Sequence, residues 1–480
     1  MNQPNILCFV TDQLRADHLG CAGNPDVKTP HIDALAADGV RFENSYVSNP
    51  VCSPNRACLF TGQYPKSNGL RENGNALPED ALTLPRCLQG VGYQTFSSGK
   101  LHLAPYGIPP ELPTPDSWKA ESKELWNAKA APFVVPYHGL DQVYFVGGHG
   151  HYNFGAHRNS LSPQVSDGYL RVHAAQDPGS NEEVWCSDVP KEQHYNTQIA
   201  DKTIEFIDRR DADKPFFGWC SFPDPHHPFS PPEPWYSMYR GEDISINPAP
   251  DSGEALPEPL ADFKESMQVA DASLPECIAK NYGMISMVDH HIGRVIAHLK
   301  ASDLYDNTII VFLSDHGDYM GDHGMLRKAL LPYDGVYRVP TIWRIPQGAR
   351  GRTEALHGSV DLMPTLLDLV GAKIPDSVQG ISQAPVLTNQ HTQARTCAYA
   401  EYDDSPSGQR VRFLRDERYS FAYCYGADYG WLFDMQNDPQ QQHNLFADDA
   451  FAELRNRLFQ KLAKESIQAD PWFPNKVSHA

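Results

Sequence analysis

Asn5-Ile-Leu-Cys-Phe-Val10 and Thr308-Ile-Ile-Val-Phe-Leu313 are unbroken apolar runs, and each ends abruptly in polar residues: Thr11-Asp12-Gln13 after the first, Ser314-Asp-His-Gly-Asp318 after the second. A strand with one wet face alternates apolar and polar side chains, so a run without alternation belongs to a strand covered on both faces, as in a parallel sheet between helices. Phe216-Phe-Gly-Trp-Cys-Ser-Phe222 is a third such run. Helical spacing marks Pro30–Gly39, Gln193–Arg209 (Ile199, Ile204, Ile207), Asn281–Leu299 (Met284, Met287, Val288, Ile292, Val295) and Val360–Val370, the last stopped by Gly371. The expected fold class is therefore α/β, a large, mostly parallel mixed sheet flanked by helices. Asp12 and Asp315 would then sit at C-terminal strand ends, where open α/β sheets place their ligands.

With 480 residues, 41% of them hydrophobic, the chain can bury a large core and has room for more than one domain. The pattern changes beyond about Pro385 to short strands (Cys397-Ala-Tyr, Val411–Leu414, Tyr419–Tyr423, Trp431-Leu-Phe) and a final helix from about Asp449 to Ile467. This predicts a main domain over 1–385 and a C-terminal subdomain over 386–480, a small antiparallel sheet with one helix. A formal charge of −20 repels nucleic acid and anionic membrane surfaces, so an anionic substrate needs a local positive cluster. The 10 cysteines lack zinc or disulfide-framework spacing, and the N-terminus has no secretory leader pattern, which points to the cytoplasm, or the periplasm if a leader was trimmed. Oligomeric state is not legible in the sequence. The Pro-, Trp-, Gly- and His-rich stretch from Pro105 to about Asp188 reads as loops laid over the sheet, and the proline-rich, acidic Pro231–Pro275 as a surface excursion.

Several segments carry chemistry. Cys52-Ser-Pro-Asn-Arg56 opens a helix suited to Pro in its first turn, and a helix start attracts oxyanions, with Arg56 beside it. Lys100-Leu-His102 follows a short strand; an extended backbone would point both side chains to one side, one to hold an anion and one to move a proton. Pro223-Asp-Pro-His-His-Pro228 stiffens a turn that holds His226 and His227 beyond a strand end. Asp12 with Gln13 and Asp315 with His316 offer donors that could converge on one divalent cation. His149, His151, His157, Arg158 and His323 are candidates for a rim that contacts the substrate beyond its reacting group.

Cys52-x-Pro-x-Arg56 followed by Leu59 and Thr61-Gly62 resembles the signature of type I sulfatases, in the alkaline phosphatase superfamily; Asn55 stands where that family more often has Ser. Gly92-Tyr-x-Thr with Gly99-Lys-x-His102 resembles the second sulfatase signature, and Pro225-His-x-Pro228 the motif whose histidine, here His226, faces the leaving group. The resemblance runs from about Asn5 to Leu445 and implies an alkaline phosphatase-like fold. It also implies that a maturation enzyme converts Cys52 to formylglycine. Asp12, Gln13, Asp315, His316 and the modified Cys52 would hold one cation, Ca²⁺ first, with Mg²⁺ or Mn²⁺ as alternatives. Arg56, Lys100 and Lys328 would bind the sulfate oxygens of a small sulfated substrate. His226 would protonate the leaving alcohol, and His102 would take a proton from the aldehyde hydrate to expel sulfate.

The substrate expected is a carbohydrate sulfate, with aryl sulfates and choline sulfate as alternatives. The chief rival is a phosphonate monoester or phosphodiester hydrolase on the same scaffold. Phosphonate monoester hydrolases carry hydroxyl-bearing residues in place of the Lys-x-His pair, so Lys100 and His102 favour sulfate. A silent sulfated-glycan binder would lack a catalytic group, and none is missing here.

Overall fold

In the computed structural model β1 (Asn5–Thr11) is the central strand, and every one of its residues is buried. The structure describes residues 3–107, 116–129, 134–171, 183–245, 248–269, 273–389 and 392–471. Beside β1 in one sheet lie β2 (Val40–Tyr46), β3 (Gln94–Gly99), β4 (Gln142–Gly147), β5 (Phe154–Gly155), β6 (Phe216–Ser221), β7 (Thr308–Ser314), β8 (Thr341–Arg344) and β9 (Gly351–Gly358). The order across the sheet is β5-β4-β3-β6-β1-β7-β8-β2-β9. From β4 to β7 all neighbours are parallel, while β8 and β5 run against theirs. The α/β expectation is thus met by a mixed sheet with nine strands among the described residues.

The unbroken apolar runs follow from two covered faces. Leu7, Phe9, Ile310 and Phe312 point into a core shared with the helices Tyr195–Arg209 and Leu274–Ala301. Ile6, Cys8, Val10, Ile309, Val311 and Leu313 point the other way, into a core with the helices Cys52–Thr61 and Leu362–Leu369. Side-chain direction alternates along each strand, but both directions meet apolar layers, so the sequence has no reason to alternate.

Register places the strand ends level with one another. Thr11 pairs with Ser314, Val10 with Ser221, and Gly99 with Ser221, so β1, β7, β6 and β3 finish on one edge. Gly99 is needed there: its φ is +103°, and a Cβ would lie 1.8 Å from the Ser221 carbonyl oxygen. The residues just past each strand therefore share one small volume.

Three expectations are corrected. The stretch 105–188 is not only loop: it supplies β4 and β5, and its residues 108–115, 130–133 and 172–182 lie outside the described ones. Gln142–Gly147 is short and pairs at the sheet margin, so its pattern was too weak to separate from the surrounding Gly and His. The helix expected from Asn281 starts at Leu274, with Pro275 in its first turn. The helix expected from Val360 begins as a 3₁₀ turn over Ser359–Asp361.

A second sheet, antiparallel, contains β10 (Ala398–Asp404), β11 (Gln409–Arg415), β12 (Tyr419–Cys424) and β13 (Tyr429–Asp434), in that order. One face packs Leu414, Phe421 and Leu432 against Leu458 and Leu462 of the helix Ala452–Gln468, together with Cys58 and Tyr64 from the first part of the chain. The other face packs Val411, Phe413 and Trp431 against Tyr46, Val336 and Tyr337. Among the described residues no helix is long and apolar enough to cross a membrane.

A buried ion pair ties the two parts together. Arg395 donates from Nε to Asp361 at 2.9 Å and forms a second bond to the same carboxylate, with exposures of 4% and 0%. Burial opposes the charge on Asp361, but Arg395 outweighs it and holds the carboxyl below its usual range. Replacing Arg395 by Met would leave that carboxylate uncompensated, at a cost of about 3–5 kcal/mol. The expected result is a clear drop in the urea midpoint of Arg395→Met, whereas Arg350→Met, on the exposed rim, stays near the parent.

Candidate active site

The helix Cys52–Thr61 aims its first turn at the level edge of the sheet and ends at Gly62, whose φ is +64°. It is buried throughout, which explains Asn55: its side-chain NH₂ donates to the Asp315 carbonyl and its oxygen accepts from the Ser48 N–H at 3.0 Å. The next residue, Arg56, has no exposure. Its guanidinium donates to Asp315 (2.7 Å), Asp12 (3.4 Å), the Ser221 hydroxyl (2.9 Å) and the Lys100 carbonyl (3.0 Å). One side chain thus reaches the ends of β7, β1, β6 and β3.

Around Cys52 Sγ stand Lys328 Nζ at 2.9 Å, His316 Nε2 at 3.1 Å and Asp12 Oδ1 at 3.6 Å. Lys328 also contacts His226 Nε2 (2.9 Å), His316 Nε2 (2.8 Å) and Gln13 Oε1 (3.2 Å). Lys100 Nζ bonds Asp12 and His149 Nε2, the latter at 2.8 Å. Gln13, with φ +66°, gives its backbone N–H to Asp315 at 3.2 Å and its side-chain NH₂ to Asp318. Cys52, Arg56, Lys100, His226, Lys328, Asp12, Gln13, Asp315 and His316 are all brought together. His102 joins them from Lys100's segment, but not through extended backbone: its φ is +60°, and Glu121 fixes that turn by accepting the N–H groups of His102 (2.7 Å) and Leu103 (2.8 Å).

The rim candidates divide. His149 belongs to the centre, stacked on His226 with centroids 3.5 Å apart and planes 3° from parallel. His151 lies against Tyr152 and Trp185. His157 is no rim residue: it has no exposure, meets the Tyr169 hydroxyl at 3.1 Å, and burial takes it down to about 3. Arg158 stacks over Tyr169 beside it. His323 stacks on Tyr333 at 3.8 Å and lines a different cavity, of about 130 Å³, with Arg15 and His18. These three lie off the site because the aromatic layers under their loops captured them, which a tally of imidazoles in the sequence cannot show.

Charge assigns different states to neighbouring groups. Burial and Asp12 push the Cys52 thiol up, yet Lys100, Lys328 and His316 outweigh them and hold it below its ordinary value. Burial and then the Lys100 and Arg56 charges drive His102 far down; burial, His149 and Lys328 do the same to His226. Both imidazoles are neutral at pH 7. His316 goes the opposite way: burial and Lys328 oppose its charge, but Asp315, Cys52 and Asp12 raise it to about 9. The acidic pair thus demands positive charge at Nε2, where a cation can stand in place of the proton.

Donor atoms from Asp12, Cys52, Asp315 and His316 all lie within 4.8 Å of one another. With the Gln13 oxygen beside them, this largely oxygen-bearing set fits a hard divalent cation. Asp12, His149 and His226 form a second cluster of that kind. The first cluster is the better fit, since it brings two carboxylates and the Gln13 oxygen together whereas the second has one carboxylate and two imidazoles. Buried Arg56 and Lys100, with half-buried Lys328, stand against two carboxylates at a helix start and make the remaining space suited to an anion.

Sequence reasoning missed Asp318 and Glu121 as supports, and Arg15. Arg15 Nη1 donates to the Tyr319 carbonyl and to Asp322, both at 2.6 Å, pinning the loop that leads to Lys328. Asp318 had a signal, its place in the polar cluster after β7; Glu121 had none, standing in a stretch without periodicity.

Residues 4–372 match the family model described as sulfatase, and residues 321–468 one described as N-sulphoglucosamine sulphohydrolase, C-terminal. An arylsulfatase of Clostridium perfringens (strain 13) is 29% identical, covering 96% of this chain and 94% of its own. An N-acetylglucosamine-6-O-sulfatase of Bacteroides thetaiotaomicron is 27% identical over 97% of this chain and 87% of its own. The crystal structure of a phosphonate monoester hydrolase of Agrobacterium radiobacter superposes with a TM-score of 0.81 at 27% identity, covering 97% of this chain and 96% of that one.

By isothermal titration calorimetry, Asp315→Ala is expected to weaken Ca²⁺ binding by more than the roughly 10–100-fold typical of losing an outer-shell partner. His323→Ala, on the separate cavity, is expected to stay within about twofold of the parent; equal losses in both variants would refute the assignment of the cation to this cluster.

Proposed function

The chain belongs to the sulfatase family, and from that premise we propose that it hydrolyses a sulfate monoester of a carbohydrate, using a formylglycine made from Cys52 and one divalent cation, Ca²⁺ by preference. The carrying observation is the ring of Lys328, His316 and Asp12 around Cys52 Sγ, with Arg56 and Lys100 behind it. The arylsulfatase and N-acetylglucosamine-6-O-sulfatase relatives support the sulfate ester and the sugar. Maturation requires a formylglycine-generating enzyme.

When present, the hydrated aldehyde supplies a hydroxyl nucleophile and a second hydroxyl whose deprotonation releases sulfate. Asp12, Gln13, Asp315 and His316 would hold the cation, which would supply Lewis acidity at the attacking hydroxyl. This chain's own groups do the rest. Arg56 cannot move, being tied to four strand ends, so it keeps the carboxylates and Lys100 in place as charge shifts on the sulfate oxygens. Lys100 and Lys328 face those oxygens.

His226 Nδ1 meets the His227 carbonyl, which fixes the tautomer and leaves Nε2 as acceptor toward Lys328. A neutral His226 must take up a proton at Nε2 before it can give one to the leaving alcohol, and a sulfate anion held by Lys328, 2.9 Å from that nitrogen, would offset the charge that opposes this uptake. His102 is kept neutral and stacked on Tyr106 at 4.0 Å, as a base requires.

Phosphonate ester hydrolysis is the second reading, favoured by the superposition with the Agrobacterium hydrolase. Lys100 and His102 argue against it. Coexpressed with a maturation enzyme, the protein should yield a Cys52 peptide with the mass of the aldehyde, and 4-nitrophenyl sulfate should turn over faster than a 4-nitrophenyl phosphonate ester. The opposite ranking would replace the sulfate reading with the phosphonate one.

Removing a charge-stabilising donor typically costs about 100–1,000-fold in kcat, and that is the loss expected for Lys100→Ala. His226→Ala should lose at least about 100-fold on a sugar sulfate. Its loss on 4-nitrophenyl sulfate should be much smaller, since that leaving group departs without a proton; equal losses on both would remove His226 from the role of acid.

A further inference from the structure

Beyond Lys328 a pocket of about 490 Å³ opens to solvent, within the range usual for small-ligand sites. One wall is the loop Arg71–Asn75 and the other is the end of β10 with the turn that follows it, Tyr402–Pro406. Asn49, Val51 and Lys328 join these walls to the start of the Cys52 helix. Lys328, which lines this pocket, meets Cys52 Sγ at 2.9 Å, so the pocket adjoins the candidate nucleophile.

The charges on these walls are unequal. Arg71 is their single guanidinium, and it is engaged: its Nε donates to Asp403 at 2.9 Å, and Asp403 also takes Arg412 at 2.9 Å. Burial opposes ionisation of Asp403, but the two arginines hold its carboxyl below the usual range. Glu72 accepts only the Ser405 N–H at 3.0 Å, and Asp404 the Ser407 hydroxyl. Neither meets a cation among the described residues. The Asn73 side-chain oxygen accepts from the Ser53 N–H at 3.2 Å, leaving its NH₂ group without a protein partner among the described residues. The pocket thus offers carboxylates and a carboxamide, groups that bond hydroxyls, and only one aromatic ring, Tyr402.

We propose that this pocket selects a sulfated sugar with hydroxyl or acylamino groups around the scissile ester, and discriminates against a second anionic group beside it through Glu72 and Asp404. This inference rests on the sulfate-ester reading above. At about 5 Å in a partly wetted site, one carboxylate repels a second sulfate enough to change binding by roughly tenfold.

The test uses the mature enzyme and matched hexosamine sulfates, O-sulfated at position 3, 4 or 6, each as its N-acetyl and its N-sulfo form, with 4-nitrophenyl sulfate as a control. The expected result is that for the position cleaved, kcat/KM favours the N-acetyl form by at least about tenfold, and that Glu72→Gln/Asp404→Asn narrows that ratio at least about threefold, mainly through KM. A preference for the N-sulfo form, an unchanged ratio in the double variant, or turnover of the aryl sulfate with no sugar cleaved would overturn the inference while the sulfate-ester reading stands. No turnover of any of these esters by protein carrying the aldehyde would overturn both.

Discussion

Arg56 is the constraint on which the rest of the structure depends. A guanidinium with no exposure binds Asp12, Asp315, Ser221 and the Lys100 carbonyl, which lie past the ends of four neighbouring strands. Burying a charge is costly unless it is paired and hydrogen-bonded, and only arginine has a planar fork with five donors that cannot be deprotonated. Lysine would reach one or two of these partners. Because the strands are parallel and level, four acceptors stand within the span of one side chain. The sheet register and the guanidinium hold each other in place.

A site fixed in this way is organised before its ligand arrives. Dipoles and charges that need not move as charge develops are worth more than the same groups in water. The same cluster also divides its histidines. His316 is raised to about 9 because two carboxylates outweigh burial and Lys328, whereas burial first, and then neighbouring positive groups, drive His226 and His102 down. Position within one cluster thus gives its imidazoles opposite charge states. The residues that impose these positions, Glu121 under His102 and Arg15 under the Asp318–Lys328 loop, touch no reacting atom.

The second sheet is part of the same design. Its inner face closes the core around Tyr46 and Tyr337, and the turn after β10 becomes a wall of the pocket beside Lys328. The catalytic end of the pocket is built on the main sheet, and the outer end on a loop and a hairpin. Such loops can change without disturbing the buried charges behind them.

The sequence alone determined the two-sided burial of β1, β6 and β7, because unbroken apolar runs have no other home in water. It also marked Asp12, Cys52, Arg56, Lys100, His226, Asp315 and Lys328 by their motifs, and the structure brings these residues together. Local pattern carried less where packing overrode it: β4 lay hidden among Gly and His, and His102 took a left-handed turn because a distant glutamate holds its backbone. Only the tertiary structure decided which imidazoles meet. His149 entered the centre by stacking on His226, while His157 and His323 went into aromatic layers of their own. The reason is physical: strand burial is written in neighbouring residues, whereas the placing of a loop histidine depends on contacts between segments tens to hundreds of residues apart.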